Sequence, residues 1–171
     1  DSALGACKQA RDPNFQAIIP IRGKILNCLK ADYNKIFKSD IITDLIKILG
    51  CGVKVKGNKL GKDVPTFNIN LLRWNKVIIC TDGFQIRTLI LTMLYRLTPD
   101  LIEEEKVFIA ESPLYEITTK TKTYFAYDEK EKDQFIKEIG NQKYTVQRSK
   151  GLGENEPDMM NFTTMNPETR R

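Results

Sequence analysis

The 171-residue chain contains no histidine. That absence removes the commonest general base and the commonest zinc ligand. It excludes a Ser-His-Asp or Cys-His mechanism within this chain. Cysteine is scarce: Cys7, Cys28, Cys51 and Cys80 stand apart, with no pair at metal-ligand spacing, so no zinc site is expected. Cys28 and Cys80 lie in apolar runs and are expected to be small buried hydrophobes. Free thiols of this kind fit a reducing cytoplasm. No apolar run approaches the length of a membrane span. The opening Asp1-Ser2-Ala3 has no secretory pattern and no starting Met, and the chain is expected to be a piece of a longer protein. Internal repeats and low-complexity tracts are absent as well.

What is present is ordinary for a globular protein: 41% hydrophobic and 29% charged residues. The length suits one domain, or one domain with a small appendage, and is enough for a real core. The net charge of +5 and pI near 9.0 fit a phosphate-rich partner better than an acidic one.

The densest information lies in residues 74–88. The run Val77-Ile78-Ile79-Cys80 ends in Thr81-Asp82-Gly83, and an apolar segment at helical spacing follows at once. This pattern predicts a buried parallel strand feeding a helix through a tight turn. In an open α/β sheet such a turn lies at the carboxyl end of the strand, where ligands bind. A carboxylate there, beside a glycine that lets the backbone bend, suits a hard cation. Asp82 reads equally well as a cap of the following helix. A single carboxylate is also a poor magnesium site without further oxygen donors.

Elsewhere the pattern predicts a loop entering a helix over 1–12 with Ser2 as N-cap, and a strand over 16–21. Ile41, Ile42, Leu45, Ile46 and Leu49 mark a helix stopped by Gly50-Cys51-Gly52. Residues 53–70, polar and Lys-rich, are expected to be an exposed loop or hairpin. Ile86, Leu89, Ile90, Met93, Leu94 and Leu97 mark a second helix, ended by Thr98-Pro99. A short strand at Val107-Phe108-Ile109-Ala110 follows, then a hairpin through 115–127, a helix over 129–139 capped by Asp128 and ended by Gly140, and a strand at 144–148. Lys-Glu alternation at 129–138 is expected to be a solvated helix face, Met159-Met160 to be packing, and the tail 155–171 to be peripheral. Alternating strands and helices imply an α/β fold with a parallel sheet.

Two further constellations carry charge. Pro20-Ile21-Arg22-Gly23-Lys24-Ile25-Leu26-Asn27 sets two cations and an amide around a glycine. Arg and Lys bind phosphate, glycine lets a backbone approach a ligand, and Asn27 can hydrogen-bond a sugar or base edge. A solvated basic turn is the plainer reading. Arg148-Ser149-Lys150-Gly151-Leu152-Gly153-Glu154 is a second glycine-bearing basic loop after a strand. It lacks Walker spacing, so it gives no support to ATP binding there.

Together these segments resemble the TOPRIM region of the B subunit of bacterial type IIA DNA topoisomerases, DNA gyrase and topoisomerase IV. The resemblance covers almost the whole chain. It rests on Asp1-Ser2-Ala3 with Cys7-Lys8-Gln9-Ala10-Arg11-Asp12, on Phe15 to Asn27, on Thr81-Asp82-Gly83 with Ile86-Arg87-Thr88-Leu89, and on Gln147 to Glu154 with Thr163-Thr164-Met165-Asn166-Pro167-Glu168-Thr169-Arg170. It implies a Rossmann-like parallel sheet flanked by helices with a small C-terminal extension. The TOPRIM core would span 1–120, and the hairpin, helix and extension 121–171. There are departures. The family motif Glu-Gly-Asp-Ser-Ala begins two residues before Asp1, so its metal-binding Glu is not in this sequence. The family reads Thr-Asp-Ala-Asp-Val-Asp-Gly where this chain has Thr81-Asp82-Gly83, and Asp82 can match the first or the last of those acids. The sequence is expected to join two pieces across an omitted acidic loop, since like charges crowded together without metal favour disorder. Leu4 stands where the family usually has Gly.

The family changes DNA topology with ATP, cutting both strands with tyrosines of a partner A subunit in an A2B2 assembly. The resemblance therefore implies Mg2+ as cofactor, with Mn2+ or Ca2+ able to stand in, and ATP bound elsewhere in the full-length protein. It implies double-stranded DNA and the A subunit as partners, no membrane, and a bacterial cytoplasmic, nucleoid-associated setting. Asp82 is the catalytic and metal-ligand candidate. Arg22, Lys24, Asn27 and Lys150 match DNA-contacting or cleavage-face positions, with Glu154 beside Lys150. Asp1 and Arg22 match positions where quinolone resistance arises. This region alone is expected to be inactive. Two other readings remain: a docking module for DNA or the A subunit that has lost its acidic metal loop, and a phospho-acceptor or nucleotide-binding domain with Asp82 as acceptor. The second gives the basic blocks no role.

Overall fold

A computed structural model describes residues 2–55, 64–149 and 151–171. Its elements run α1 (Ser2–Ala10), α2 (Tyr33–Phe37), α3 (Asp40–Leu49), β1 (Val77–Ile79), α4 (Phe84–Leu97), α5 (Pro99–Glu103), β2 (Val107–Ile109), β3 (Tyr115–Thr119), β4 (Thr123–Ala126), α6 (Glu129–Ile139), β5 (Tyr144–Arg148) and α7 (Pro157–Met160). The chain divides into two compact units, one formed by Ile21–Ile109 and the other by Asp1–Pro20 with Ala110–Arg171. The fold is α/β.

In the unit Ile21–Ile109, β1 and β2 pair in parallel, with Val77 opposite Val107 and Ile79 opposite Ile109. β1 leads through residues 80–83 into α4, as the apolar run followed by helical spacing predicts. α4 turns Ile90, Met93, Leu94 and Leu97 inward, where they meet Ile36, Ile42, Leu49, Ile79 and Leu101. Spacings of three and four residues put those side chains on one face, and burying each contributes about 1.5–3 kcal/mol. Thr98 ends the helix, its hydroxyl donating to the Leu94 carbonyl at 3.1 Å, and Pro99 opens α5. At the end of α3, Gly50 takes φ +75° and its N–H closes on the Ile46 carbonyl at 3.0 Å. Cys28 and Cys51 are fully buried in this core, whereas Cys80 is only half-buried because it lies past the last residue of β1. The stretch from 53 begins inside the core rather than in an exposed loop: Val53 is fully buried and bridges to Thr66. Residues 56–63, the centre of the expected Lys-rich loop, lie outside the described residues.

The other unit carries an antiparallel sheet in the order β4-β3-β5. Tyr115 faces Ala126 on one side and Arg148 on the other, so the expected hairpin and final strand pair through β3. α6 lies against β3 and β4, with Phe135 on Tyr124. Asp128 caps it, accepting from the Glu131 N–H at 2.7 Å, and Gly140 follows its last turn. Glu129 pairs with Lys132 on its surface at 2.5 Å.

Three expectations need correction here. Ser2 is the first residue of helix α1 rather than its N-cap. Residues 16–21 are not a strand. Gln16 instead donates its amide to the Met165 carbonyl at 2.6 Å, and Pro20 has no N–H to give a ladder. The tail is not peripheral: Met159, Met160, Thr163 and Thr164 are buried, Asn161 donates to the Ala10 carbonyl at 2.9 Å, and Phe162 packs on Phe125. Met159 and Met160 serve packing, as expected.

Candidate nucleic-acid interface and acidic turn

The basic segment 22–30 belongs to the unit Ile21–Ile109. Gly23 takes φ +81°, a left-handed conformation open to glycine and strained for L side chains. On either side of it Arg22 and Lys24 are exposed. Ile25 and Cys28 are buried, so the segment is pinned to the core at those two points while Arg22, Lys24, Asn27 and Lys30 face outward. Burial pushes the Cys28 thiol up from its ordinary range, and the positive charge of Arg96 opposes that only in part. Cys28 is thus a packing residue and not a reactive thiol.

Asn27 organises a turn of its own. Its side-chain oxygen accepts from the Leu29 N–H at 3.1 Å. Its backbone carbonyl accepts from the N–H groups of Lys30 and Ala31 at 3.3 and 3.2 Å. Arg96, from the last turn of α4, closes this turn from outside. One guanidinium nitrogen donates to the carbonyls of both Cys28 and Ala31, and the guanidinium lies 4.5 Å from the centre of the Tyr33 ring. Reading the sequence alone missed Arg96. It stands in an apolar helix with nothing local to mark it, and its partners lie 68 and 65 residues away.

The acidic turn follows β1 in the same unit. Asp82 is exposed. The N-cap of α4 falls on Gly83, not on Asp82, so the simple capping explanation of Asp82 does not hold at that position. Gly83 itself has φ −97° and open space where a Cβ would stand, so this turn does not require glycine, contrary to the sequence argument. The Thr81 hydroxyl donates to the Gly83 carbonyl at 3.2 Å and braces the bend. Asp82 thus stands just ahead of the first turn of α4, where the helix dipole favours negative charge. Among the described residues no group of three or more His, Cys, Asp or Glu could hold a metal ion. The residues fit magnesium only as an ion shared with a phosphate: one carboxylate here, and oxygen from phosphate and water for the rest of its shell.

The second basic loop lies in the other unit. Arg148 ends β5, the Ser149 N–H donates to the Leu114 carbonyl at 2.8 Å, and buried Leu152 anchors the turn Leu152–Glu154. Glu116, Gln147, Arg148, Ser149, Glu154, Asn155 and Met159 line a cavity of about 420 Å³ beside it. Its charges are of both signs, which does not single out an anion. Lys150 and Asp1 lie outside the described residues. The structure therefore brings Arg22, Lys24, Asn27 and Asp82 into one unit and leaves Arg148 and Glu154 in the other.

Comparison with known proteins adds to this geometry. Residues 1–112 match the family model of the Toprim domain, and residues 141–171 match that of the DNA gyrase B subunit, carboxyl terminus. The chain is 44% identical to the DNA gyrase B subunit of Clostridium acetobutylicum, over 99% of this chain and 26% of that one. It is 42% identical to that of Thermotoga maritima, over 100% of this chain and 26% of the relative. With that of Haloferax volcanii the identity is 46%, over 99% and 26%. The chain thus spans about a quarter of the length of the curated relatives it matches.

Proposed function

This chain belongs to the Toprim family, and we propose that it is the Toprim region of a B-type subunit of an ATP-dependent type IIA DNA topoisomerase. In this reading it docks double-stranded DNA and supports strand cleavage and religation by tyrosines of a partner A subunit, in an A2B2 assembly. ATP binds elsewhere in the full-length protein, and this region alone is inactive. The observation that carries the reading is the basic segment 22–30, pinned at Ile25 and Cys28 and presenting Arg22, Lys24 and Asn27 outward, in the same unit as the acidic turn. Cations and an amide held on a fixed backbone suit phosphate contacts, which set the register of DNA on a protein.

Asp82 is the carboxylate we assign to the reaction. It would hold magnesium jointly with a DNA phosphate. The chemistry a bound magnesium ion supplies there is neutralisation of charge on the scissile phosphate and the leaving oxygen. The part played by Asp82 is to place negative charge at the strand end.

Paired substitutions in the assembled holoenzyme test this. Asp82→Asn should abolish divalent-cation-dependent cleavage while leaving DNA binding and the thermal transition in place. Lys24→Ala should weaken DNA binding and lower the salt slope by about one. Wild-type cleavage by Asp82→Asn removes that residue from the site and leaves a docking module. An unchanged salt slope in Lys24→Ala removes the basic segment from the interface.

A further inference from the structure

The contacts of Asn27 and Arg96 carry a more specific inference, resting on the reading of 22–30 as a DNA interface. The Leu29 N–H is a donor, so the atom of Asn27 that meets it at 3.1 Å must be the carboxamide oxygen. This fixes which way the amide points. That bond takes one of the oxygen's two lone pairs and turns the oxygen toward the backbone, so the NH2 group is the main hydrogen-bonding group the exposed side chain offers. Reading adenine requires the amide to donate and accept at once. With the oxygen held toward the turn, the NH2 donor suits a phosphate oxygen, which only accepts.

The turn that imposes this orientation depends on Arg96. Lys30 and Ala31 give their N–H groups to the Asn27 carbonyl. That leaves the carbonyls of Cys28 and Ala31, on either side of the turn, to find donors. Arg96 supplies both, and the Tyr33 ring 4.5 Å from the guanidinium helps hold it there. The same nitrogen serves both carbonyls while the planar guanidinium lies over the Tyr33 ring; an ammonium can reach the carbonyls but has no plane to set against the ring. Arg96 is half-buried between buried Met93, Leu94 and Leu97, so the long side chain spends little further freedom in reaching the turn.

We propose that Arg96 is a positioning residue for DNA binding: it locks the 27–31 turn so that Asn27 presents its amide NH2 to backbone phosphate, independent of base sequence. The test is a double-mutant cycle in the full-length protein assembled with its A-type partner, reading affinity for two duplexes of unrelated sequence. Asn27→Ala should weaken both duplexes equally, by about tenfold. Arg96→Leu should weaken both to a similar degree, and should add no further loss in the Asn27→Ala background. Arg96→Lys should recover only part of the binding. If Arg96→Leu fails to fold, Tyr33→Leu, which removes the ring and leaves Arg96 in place, should show the same coupling to Asn27.

Additive losses for Arg96→Leu and Asn27→Ala would show that Arg96 acts on overall stability, and would overturn the positioning role. Sequence-dependent loss in Asn27→Ala would overturn the phosphate contact. Full binding by Arg96→Leu, with Lys24→Ala and Asn27→Ala still impaired, overturns this inference and leaves the interface standing. Full binding by Lys24→Ala and Asn27→Ala overturns the interface reading as well.

Discussion

Gly23 takes φ +81° with nothing within 4 Å of the place a Cβ would occupy. The constraint there is the backbone alone, since there is room for a methyl group. Gly23→Ala should therefore destabilise the chain by about 1–2 kcal/mol through left-handed strain, without disturbing packing. A chemical denaturation curve with an unchanged slope and a lower midpoint would show this; an unchanged midpoint would mean the turn relaxes to another conformation. Gly23 was legible in the sequence because its neighbours announce a turn. Gly83 shows the opposite. Its place beside Asp82 suggested a bend that needs glycine, yet its backbone is ordinary. Arg96 was not legible at all, because an arginine in the last turn of an apolar helix usually just suits the helix dipole, and only the folded chain reveals the carbonyls it reaches.

At the scale of elements, local chemistry was a reliable guide wherever it was self-contained. α3 ends at a left-handed Gly50, α6 starts at the Asp128 cap and ends before Gly140, and α4 stops where Thr98-Pro99 says it should. The strand expected at 16–21 failed because apolar residues alone do not supply a partner. The tail failed for the converse reason: its burial comes from contacts with α1 and β4, which no tail residue announces. The same tail closes on α6. Arg171 donates to Glu131, its guanidinium lies 4.4 Å from the centre of the Tyr127 ring, and its carbonyl accepts from the Glu111 N–H at 2.9 Å. The hydrogen bond from Arg171, with a second from the Tyr127 N–H, holds the Glu131 carboxyl below its ordinary range. A carboxyl lowered on folding contributes stability above its unfolded pKa, about 4.3. That contribution is lost as pH falls through the folded value. Protection of the Tyr127 and Glu111 amides from hydrogen exchange should drop on acidification below about pH 4. Glu131→Gln should remove the pH step; a step that persists would assign it to another carboxyl.

For the whole molecule, the apolar cluster of α2, α3, α4, α5, β1 and β2 draws all its members from within 21–109. That continuous stretch has its own core, a condition for independent folding. Residues 21–109 expressed alone should unfold cooperatively on heating, with the near-ultraviolet signal of Trp74 lost in the same transition. Trp74 donates to the Ile48 carbonyl at 2.8 Å and so reports on α3. A non-cooperative melt would show that the other unit supplies stability that burial within this stretch does not reveal.

The other unit is split in sequence, with α1 built into it alongside a tail that comes some 150 residues later: the Asn161 bond to Ala10 spans 151 positions. Translation moves in one direction at roughly 5–20 residues per second. Helix α1 is therefore made on the order of ten seconds before the chain that covers it. Throughout that interval Cys7 and Ala10, buried in the finished molecule, lack the tail residues that cover them. The stretch 21–109 can meanwhile complete its own core. The order of synthesis thus leaves α1 waiting for the tail that buries it while the core of 21–109 can already form.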